Sequence, residues 1–259
     1  LPVGLREIGE GAFAHSSKIS SINLPDEVIK IGRMAFFGCE KITSIVIPSG
    51  ITEIEDNTFA HTGIMSITIP EGVTIIKTQA LAFCPNLKSV KLPTTVTEIH
   101  DGFWPCKRLT TVTVASGNPA FSSKDGVLYD AKREILILYP EGRMQKTFSV
   151  PSGVNRIDHP GFSNCKHLES IKIPASVLYI NAGFYGCERL SLDIDKENPS
   201  FSFENGVLFN KEKTVLHQYL PNHTESTYSV PAGVEEIGYQ AFTYCENLRI
   251  IESPATVKL

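Results

Sequence analysis

Residues 31–48 read IGRMAFFGCEKITSIVIP, and close variants of this stretch recur along the chain of 259 residues. The recurring unit follows the pattern I-G-x-x-A-F-x-x-C-x-x-L-x-x-I-x-I-P-x-x-V-x-x-I and is about 23 residues long. Its prolines keep the register at intervals of 23, 23, 22 and 23 residues, at Pro2, Pro25, Pro48, Pro70 and Pro93. A repeat of about 20 to 50 residues is the signature of a solenoid, in which each copy forms one coil.

Each unit predicts two extended segments and one inward aromatic ring. The first segment alternates polar and apolar residues before a proline, as in SIVIP at 44–48, which predicts a strand that proline ends. The second places two apolar residues three apart, as Ile51 and Ile54 do. The aromatic that follows occupies one repeat position, at Phe13, Phe36, Phe59, Phe103, Phe162, Phe184 and Phe242, with Leu81 as the one substitute. Because a single coil has no core of its own, we expect successive coils to stack and share one.

The six cysteines also share one repeat position, which Ser16 and Thr62 occupy in other copies. This exchange favours an inward row of small, weakly polar side chains, since free cysteine behaves as a small apolar residue. Adjacent coils place Cys84 near Cys106 and Cys165 near Cys187, so a disulfide is the alternative. Side chains that point in parallel rarely reach the dihedral angle that a disulfide requires.

Two related segments, 115–150 and 195–230, interrupt the period. Asn118-Pro119 and Asp125-Gly126 in the first correspond to Asn198-Pro199 and Asn205-Gly206 in the second, 80 residues later. Within the first, two apolar runs (127–129 and 136–139) flank a polar turn at 130–133, which predicts a β-hairpin or one longer coil. The insertions either space the coils and seal the core, which we favour, or carry function as loops often do.

The uniform period predicts one elongated domain over residues 1–259. It consists of regular coils at 1–114, 151–194 and 231–259, separated by the two insertions. The chain begins within a repeat, which suggests a processed or trimmed product. Ser253 stands where other strands have an apolar residue, so we expect a C-terminal end that is a cap or is truncated.

The pattern A-F-x-x-C-x-x-L-x-x-I-x-I-P resembles the BspA-like, or Treponema-type, leucine-rich repeat family, and the resemblance covers nearly the whole chain. It implies a β-rich leucine-rich-repeat solenoid: a right-handed superhelix with a parallel concave sheet, short convex β or 3-10 segments and two hairpin-like insertions. It also implies an extracellular or cell-surface bacterial protein with an adhesion or binding role. The family offers no catalytic residues to transfer.

Charge, hydropathy and the absence of known motifs argue against several classes of function. The net charge of −4 and the scattered lysines and arginines argue against a nucleic-acid partner. No apolar run approaches the roughly 18 residues of a transmembrane segment. The chain has no recognisable catalytic, cofactor or zinc motif, so we expect no enzyme activity, no cofactor and no metal site. We expect a monomer that binds a protein or a glycan on host cells or matrix.

The outward residues of the predicted strands are the main binding candidates, because solenoids commonly bind ligands on their concave face. The candidates on this face are Ser44, Ser66, Thr68, Ser89, Lys91, Thr111, Thr113, Ser170 and Lys172. Small polar residues also suit a solvated face without any ligand, which remains the alternative. Phe37, Trp104 and Tyr185 follow the inward aromatics and are either exposed edge anchors or covers for the core. The alternative function is a passive structural spacer in a larger surface protein.

Overall fold

The structure is a computed structural model that describes residues 1–181, 183–255 and 257. It contains two compact units, the first formed by Leu1–Lys132 with Tyr139–Arg143 and the second by Arg133–Leu138 with Met144–Leu259. Each unit is a β-solenoid, and the chain makes about 11 turns in all. The organisation of residues 1–259 as a single domain stays a prediction.

The first unit contains ten short strands: three from the first extended segment of a coil, five from the second and two from the first insertion. Their bounds are β1 (Glu7–Ile8), β2 (Lys30–Ile31), β3 (Glu53–Ile54), β4 (Ser66–Thr68), β5 (Ile75–Ile76), β6 (Ser89–Leu92), β7 (Glu98–Ile99), β8 (Thr111–Val114), β9 (Phe121–Lys124) and β10 (Val127–Asp130). Strands β4, β6 and β8 form one parallel sheet, β3, β5 and β7 a second, and β1 pairs with β2 in parallel.

The second unit repeats this arrangement, with twelve strands in its described residues. Their bounds are β11 (Ile135–Leu138), β12 (Thr147–Ser149), β13 (Arg156–Gly161), β14 (Ser170–Ile173), β15 (Tyr179–Ile180), β16 (Ser191–Ile194), β17 (Phe201–Glu204), β18 (Val207–Asn210), β19 (Val215–Tyr219), β20 (Thr227–Ser229), β21 (Glu236–Ile237) and β22 (Ile250–Glu252). Strands β12, β14 and β16 form a parallel sheet, β11, β13 and β15 a second, and β20 pairs with β22 in parallel.

Parallel pairing in every regular coil confirms the predicted solenoid. The short second segments form two-residue strands such as β3 and β5. Of the two forms expected there, β or 3-10, the described residues take the β form, with hydrogen-bonded turns beside it. These turns include a residue with positive φ just before the cysteine position, as at His15 (59°), His61 (57°) and Asn164 (60°). A residue with positive φ interrupts the run of right-handed backbone angles that a 3-10 helix needs, so these segments stay turns.

The insertions contain hairpins, but one turn lies where the sequence reading did not place it. Strands β9 and β10 are antiparallel and turn at Asp125-Gly126, and β17 and β18 do the same at Asn205-Gly206. Both residues of each turn have positive φ, as the two-residue turns of tight hairpins require. In the second insertion β18 also pairs antiparallel with β19, and this hairpin corresponds in sequence to the one predicted around the polar turn at 130–133 of the first insertion. The insertion is therefore a three-stranded meander rather than a single hairpin.

The predicted inward aromatics form the core of each unit. In the first unit Phe36 and Phe59 are fully buried, and their ring centroids lie 5.6 Å apart with the planes 6° from parallel. In the second unit Phe162 and Phe184 stack in the same way at 5.8 Å. Phe13 and Phe242, in the first and last of these coils, are only half-buried. A terminal coil lacks a neighbour on one side, so its ring stays partly exposed.

The cysteines form the predicted inward row and are all free thiols. Each thiol typically donates to the carbonyl oxygen of the core residue in the preceding coil, as Cys39 does to Phe13 (3.1 Å) and Cys187 to Phe162 (3.0 Å). Thr62 stands in the same row and its hydroxyl lies 3.3 Å from the Cys84 sulfur. A small side chain with a weak donor therefore fits this position, which explains why serine and threonine replace cysteine there.

Two asparagines join the insertions to the preceding coils. Asn118 Nδ2 donates to the carbonyl oxygens of Pro93 and Val96, both at 2.8 Å, and its Oδ1 accepts from the two backbone N–H groups of Ala120 and Phe121. Asn198 makes the same four bonds in the second unit. The Asn-Pro pair thus begins each insertion with a buried and fully bonded amide.

Candidate ligand-binding surface

The outward residues of β4, β6 and β8 form two straight rows, which together we call the strand face of the first unit. Ser66, Ser89 and Thr111 are direct register partners. Thr68, Lys91 and Thr113 form the second row in the same way. The intervening residues, among them Val90 and Val112, are fully buried. The strand alternation therefore places six of the predicted candidates side by side on one exposed surface.

The preceding coil extends these rows without a regular strand. Ser44 is exposed, and Val46, at the position of Thr68, has 82 % of its surface accessible. The backbone N–H of Met65 donates to the Thr43 carbonyl oxygen at 3.0 Å, which holds this coil beside β4. An exposed valine beside threonines adds an apolar patch to an otherwise polar row.

A groove of about 490 Å³ lies where these three strands end. Its walls come from Thr68–Glu71, Lys91–Pro93 and Thr113–Ala115. A groove of roughly 300 to 1,000 Å³ is the usual size of a small-ligand site. The two prolines end their strands and leave no N–H groups of their own at this edge. The groove therefore continues the strand face into a recess that the sequence did not reveal.

The groove carries groups of both signs of charge. The Glu71 carboxylate accepts from the backbone N–H of Thr94 (3.0 Å) and from its hydroxyl (2.8 Å). These two hydrogen bonds lower the pKa of Glu71 below its ordinary value. Lys91 supplies an exposed ammonium on the same groove. A ligand that crosses the groove can therefore accept a bond from Lys91 and donate one to Glu71.

In the second unit Ser170 and Lys172 lie on β14 and face outward in the same pattern. Lys172 Nζ lies 4.0 Å from the carboxylate of Asp193 on β16. On the other side of β14, Thr147 pairs with Ser170 and Ser149 with Lys172, and neither partner is among the candidates predicted from the sequence. The signal was present, because TFSVP at 147–151 has the same polar and apolar alternation before proline as SIVIP.

The three edge aromatics differ in their exposure and contacts. Phe37 is half-buried, and its ring lies 5.2 Å from His15 and 5.1 Å from His61 in the adjacent coils. Trp104 is also half-buried. Tyr185 is only 6 % exposed, and its hydroxyl donates to Gln240 Oε1. Of the two alternatives, Tyr185 therefore takes the role of a cover over the core.

The Cys187 thiol illustrates the chemistry of the buried cysteine row. Burial raises the pKa of the Cys187 thiol to about 12, so this sulfur stays protonated at neutral pH. No cluster of three or more His, Cys, Asp or Glu side chains suited to a metal ion occurs in the part of the chain that the structure describes. The same residues contain no apolar helix of the length that a bilayer crossing requires.

The family profile of the BspA type leucine rich repeat region matches this chain in six copies, over residues 6–124, 141–227 and 222–259. These matches include both the regular coils and most of the two insertions. No curated protein sequence matches the chain significantly.

Several solved structures share the fold. A leucine-rich repeat protein from Eubacterium ventriosum aligns with a TM-score of 0.63 at 20 % identity, covering 93 % of this chain and 74 % of its own. A leucine rich cell surface protein from Faecalibacterium prausnitzii aligns at 0.57 and 23 % identity, covering 96 % and 83 %. The pneumococcal vaccine antigen PcpA aligns at 0.68 and 18 % identity, covering 98 % and 72 %. At these identities the similarity establishes the fold.

Proposed function

Because this chain belongs to the BspA-type leucine-rich repeat family, we propose that it is a non-catalytic binding module that recognises a protein or a glycan through its strand face. The observation that carries this proposal is the alignment of Ser66, Ser89 and Thr111 beside Thr68, Lys91 and Thr113, with a groove at their end. Repeat proteins commonly bind partners on such a row of aligned strands.

The chemistry of the strand face suits an extended ligand. Hydroxyl groups both donate and accept, so a row of serines and threonines can follow either a peptide backbone or the hydroxyls of a glycan. Lys91 and the ionised Glu71 fix the direction of a ligand with polar groups of both kinds. The exposed Val46 adds apolar contact at the other end of the rows.

An extracellular or cell-surface location is part of the proposal. It is supported by the similar fold of a protein described as a leucine rich cell surface protein and of a pneumococcal vaccine antigen. The free thiols do not oppose it, since five of the six are buried from oxidants. We also propose that the module works as a monomer, which light scattering coupled to gel filtration will test.

The experiment is a binding screen of the purified chain against extracellular-matrix proteins and a glycan array. Any saturable ligand is then tested against a variant that combines Ser89→Tyr and Lys91→Glu, which blocks and recharges the strand face. Lys107→Glu is the matched control, because this lysine is exposed but does not lie on β4, β6 or β8. We expect the double variant to lose binding and the control to keep it. Equal binding by both would place the site elsewhere, and no ligand in the screen would favour the spacer role.

A further inference from the structure

A polar cleft of about 420 Å³ lies on the second unit, away from its outward strand residues. Turns from four segments contribute to it, at residues 164–166, 186–188, 221–223 and 244–247. The first, second and fourth are edge turns of regular coils, and the third belongs to the second insertion. The volume lies within the range of roughly 300 to 1,000 Å³ that small-ligand sites occupy.

The edge that borders the cleft departs from the regular repeat pattern in two successive coils. Gly186 stands where the neighbouring coils carry Asn164 and Tyr244. A Cβ atom at Gly186 would lie 2.3 Å from Asn164 Oδ1, so the Asn164 amide lies over the glycine backbone. The insertion lacks the aromatic-x-x-Cys turn of a regular coil and supplies Pro221-Asn222-His223 instead. The row of edge side chains is therefore interrupted at two successive positions.

Hydrogen bonds hold the segments around the cleft in place. Asn222 Nδ2 donates to the Leu190 carbonyl oxygen at 3.0 Å, which ties the insertion to the coil before it. Asn247 Nδ2 donates to the His223 carbonyl oxygen at 2.9 Å, which ties it to the coil after it. The His223 ring stacks on the buried Tyr219 ring with centroids 3.9 Å apart. The walls are thus fixed before a ligand arrives, which lowers the cost of binding.

The groups in the cleft form a mixed and nearly neutral set. Lys166 and Glu188 make an ion pair across adjacent coils, and Glu246 adds one further carboxylate. Asn222 and Asn247 use their amide N–H groups on the backbone, and among the described residues their Oδ1 atoms have no hydrogen-bond partner. The cleft therefore offers mainly acceptors, with one paired ammonium, which suits a ligand rich in hydroxyl donors.

Tyr244 provides an apolar surface beside these acceptors. Its side chain is 57 % exposed although its residue sits in a tight turn with φ of 63°. The buried Tyr185 ring lies 6.5 Å from it and supports it from the core side. An exposed tyrosine ring beside amides and carboxylates matches a sugar, which has one apolar ring face and an edge of hydroxyl groups.

We propose that this cleft is a binding site for a short neutral saccharide, with Tyr244 as the stacking platform and Glu246, Asn222 and Asn247 as acceptors for its hydroxyl groups. An anionic ligand does not fit, because the side chains in the cleft carry two carboxylates and one ammonium. The site is independent of the strand face, so it stands whether or not the strand face binds a partner.

The first insertion shows that the cleft is specific to the second copy. Gly142 and Arg143 occupy the positions of Asn222 and His223 there, 80 residues earlier. The Arg143 guanidinium donates to the carbonyl oxygens of Thr110 and Asp125 and lies over the Tyr139 ring at 5.0 Å. The first insertion thus has a glycine in place of the Asn222 amide and a permanent cation in place of the His223 imidazole. Of the two insertions, only the second combines these acceptors.

The test measures binding of short neutral oligosaccharides (linear glucans, mannans, galactans and N-acetylhexosamine oligomers) to the full chain by saturation-transfer NMR and calorimetry. The key variant is Tyr244→Asn, because asparagine tolerates positive φ and occupies the equivalent turn at Asn164 (φ 60°). Tyr239→Asn is the control, since Tyr239 is 82 % exposed but does not line the cleft. Tyr244→Phe keeps the ring and removes only the hydroxyl.

We expect at least one oligosaccharide to bind, and Tyr244→Asn to weaken it about tenfold or more, as the loss of an anchoring ring does. Tyr239→Asn, Tyr244→Phe and the strand-face variant should bind as the unchanged chain does. No binding by any oligosaccharide, equal binding by Tyr244→Asn, or loss of binding in the strand-face variant would each overturn the proposal. Peptide binding in the cleft without saccharide binding would also overturn it. Loss of saccharide binding in the strand-face variant would support the proposal for the strand face instead, and the other results leave that proposal unaffected.

Discussion

Replacing Asn198 with alanine is the sharpest test of how the second insertion is anchored. The side chain is fully buried, and its amide makes four hydrogen bonds of 2.9 Å: to the carbonyl oxygens of Pro174 and Val177 and from the N–H groups of Ser200 and Phe201. A hydrogen bond contributes about 1 kcal/mol net, and a buried group left without its partner costs about 1 to 3 kcal/mol. We therefore expect Asn198→Ala to lower the free energy of unfolding by about 4 kcal/mol.

The assay is urea denaturation followed by circular dichroism, with two further variants. Asn198→Asp keeps the two acceptor bonds but directs a carboxylate at two carbonyl oxygens, so we expect at least as large a loss at pH 7. Its carboxyl would have a raised pKa in the folded state, and protonation would restore a donor, so the loss should shrink as the pH falls through that pKa. Asn155→Ala removes an exposed amide and should change stability by less than about 0.5 kcal/mol. A loss below about 1 kcal/mol in Asn198→Ala would refute the reasoning.

Three further predictions follow from the core, the hairpin turn and the groove. Phe36→Ala should lower the free energy of unfolding, measured by urea denaturation, by about 3 to 5 kcal/mol, because the Phe36 ring is fully buried between Phe13 and Phe59. Ser44→Ala should leave the free energy of unfolding nearly unchanged. Similar losses in both variants would contradict the assignment of Phe36 as inward and Ser44 as outward. Gly206→Ala should lower the melting temperature more than Gly117→Ala. Both glycines have positive φ, but only at Gly206 would the new Cβ meet another group, His223 Nε2 at 2.2 Å. Equal losses would mean that backbone strain alone accounts for the destabilisation. Glu71 should titrate below its ordinary pKa in NMR, and Thr94→Val should raise that pKa by removing the hydroxyl donor; an unchanged titration would show that the hydroxyl does not contribute.

The sequence predicted the coil well because the coil is local. Proline spacing, the alternation before each proline and one aromatic position per unit determine which side chains point inward, and the burial of Phe36, Phe59 and Phe162 confirms this. The hairpin turn at Asp125-Gly126 was also within reach, since Asp-Gly and Asn-Gly are the strongest short hairpin signals. The turn was instead predicted at the polar run 130–133, which follows β10, whereas the Asp125-Gly126 turn precedes it.

The groove and the cleft could not be predicted from the sequence, for a physical reason. Each is a space between coils, and its shape depends on how far one turn lies from the next, which a periodic pattern does not contain. Tyr185 shows the same limit, because its hydroxyl bonds Gln240, a residue 55 positions away that the second insertion brings close. A side chain whose partner lies beyond an insertion cannot be assigned as exposed or buried from its repeat position alone.

Comparing the two insertions shows which of their residues are structural and which can vary. Positions that are identical 80 residues apart have structural duties: Asn118 and Asn198 bond buried carbonyls, and Gly126 and Gly206 adopt positive φ in the hairpin turns. One pair of positions differs between the insertions: Gly142-Arg143 in the first corresponds to Asn222-His223 in the second. This pair follows the frame of identical residues, and in the second insertion it lines the cleft at the edge of the coils. Since the same backbone there carries a guanidinium in one copy and an imidazole beside an amide in the other, the frame tolerates different side chains at its edge. We therefore expect that exchanging Asn222-His223 for Gly-Arg abolishes saccharide binding in the cleft without unfolding the second unit, and thermal melting beside calorimetry will distinguish the two effects.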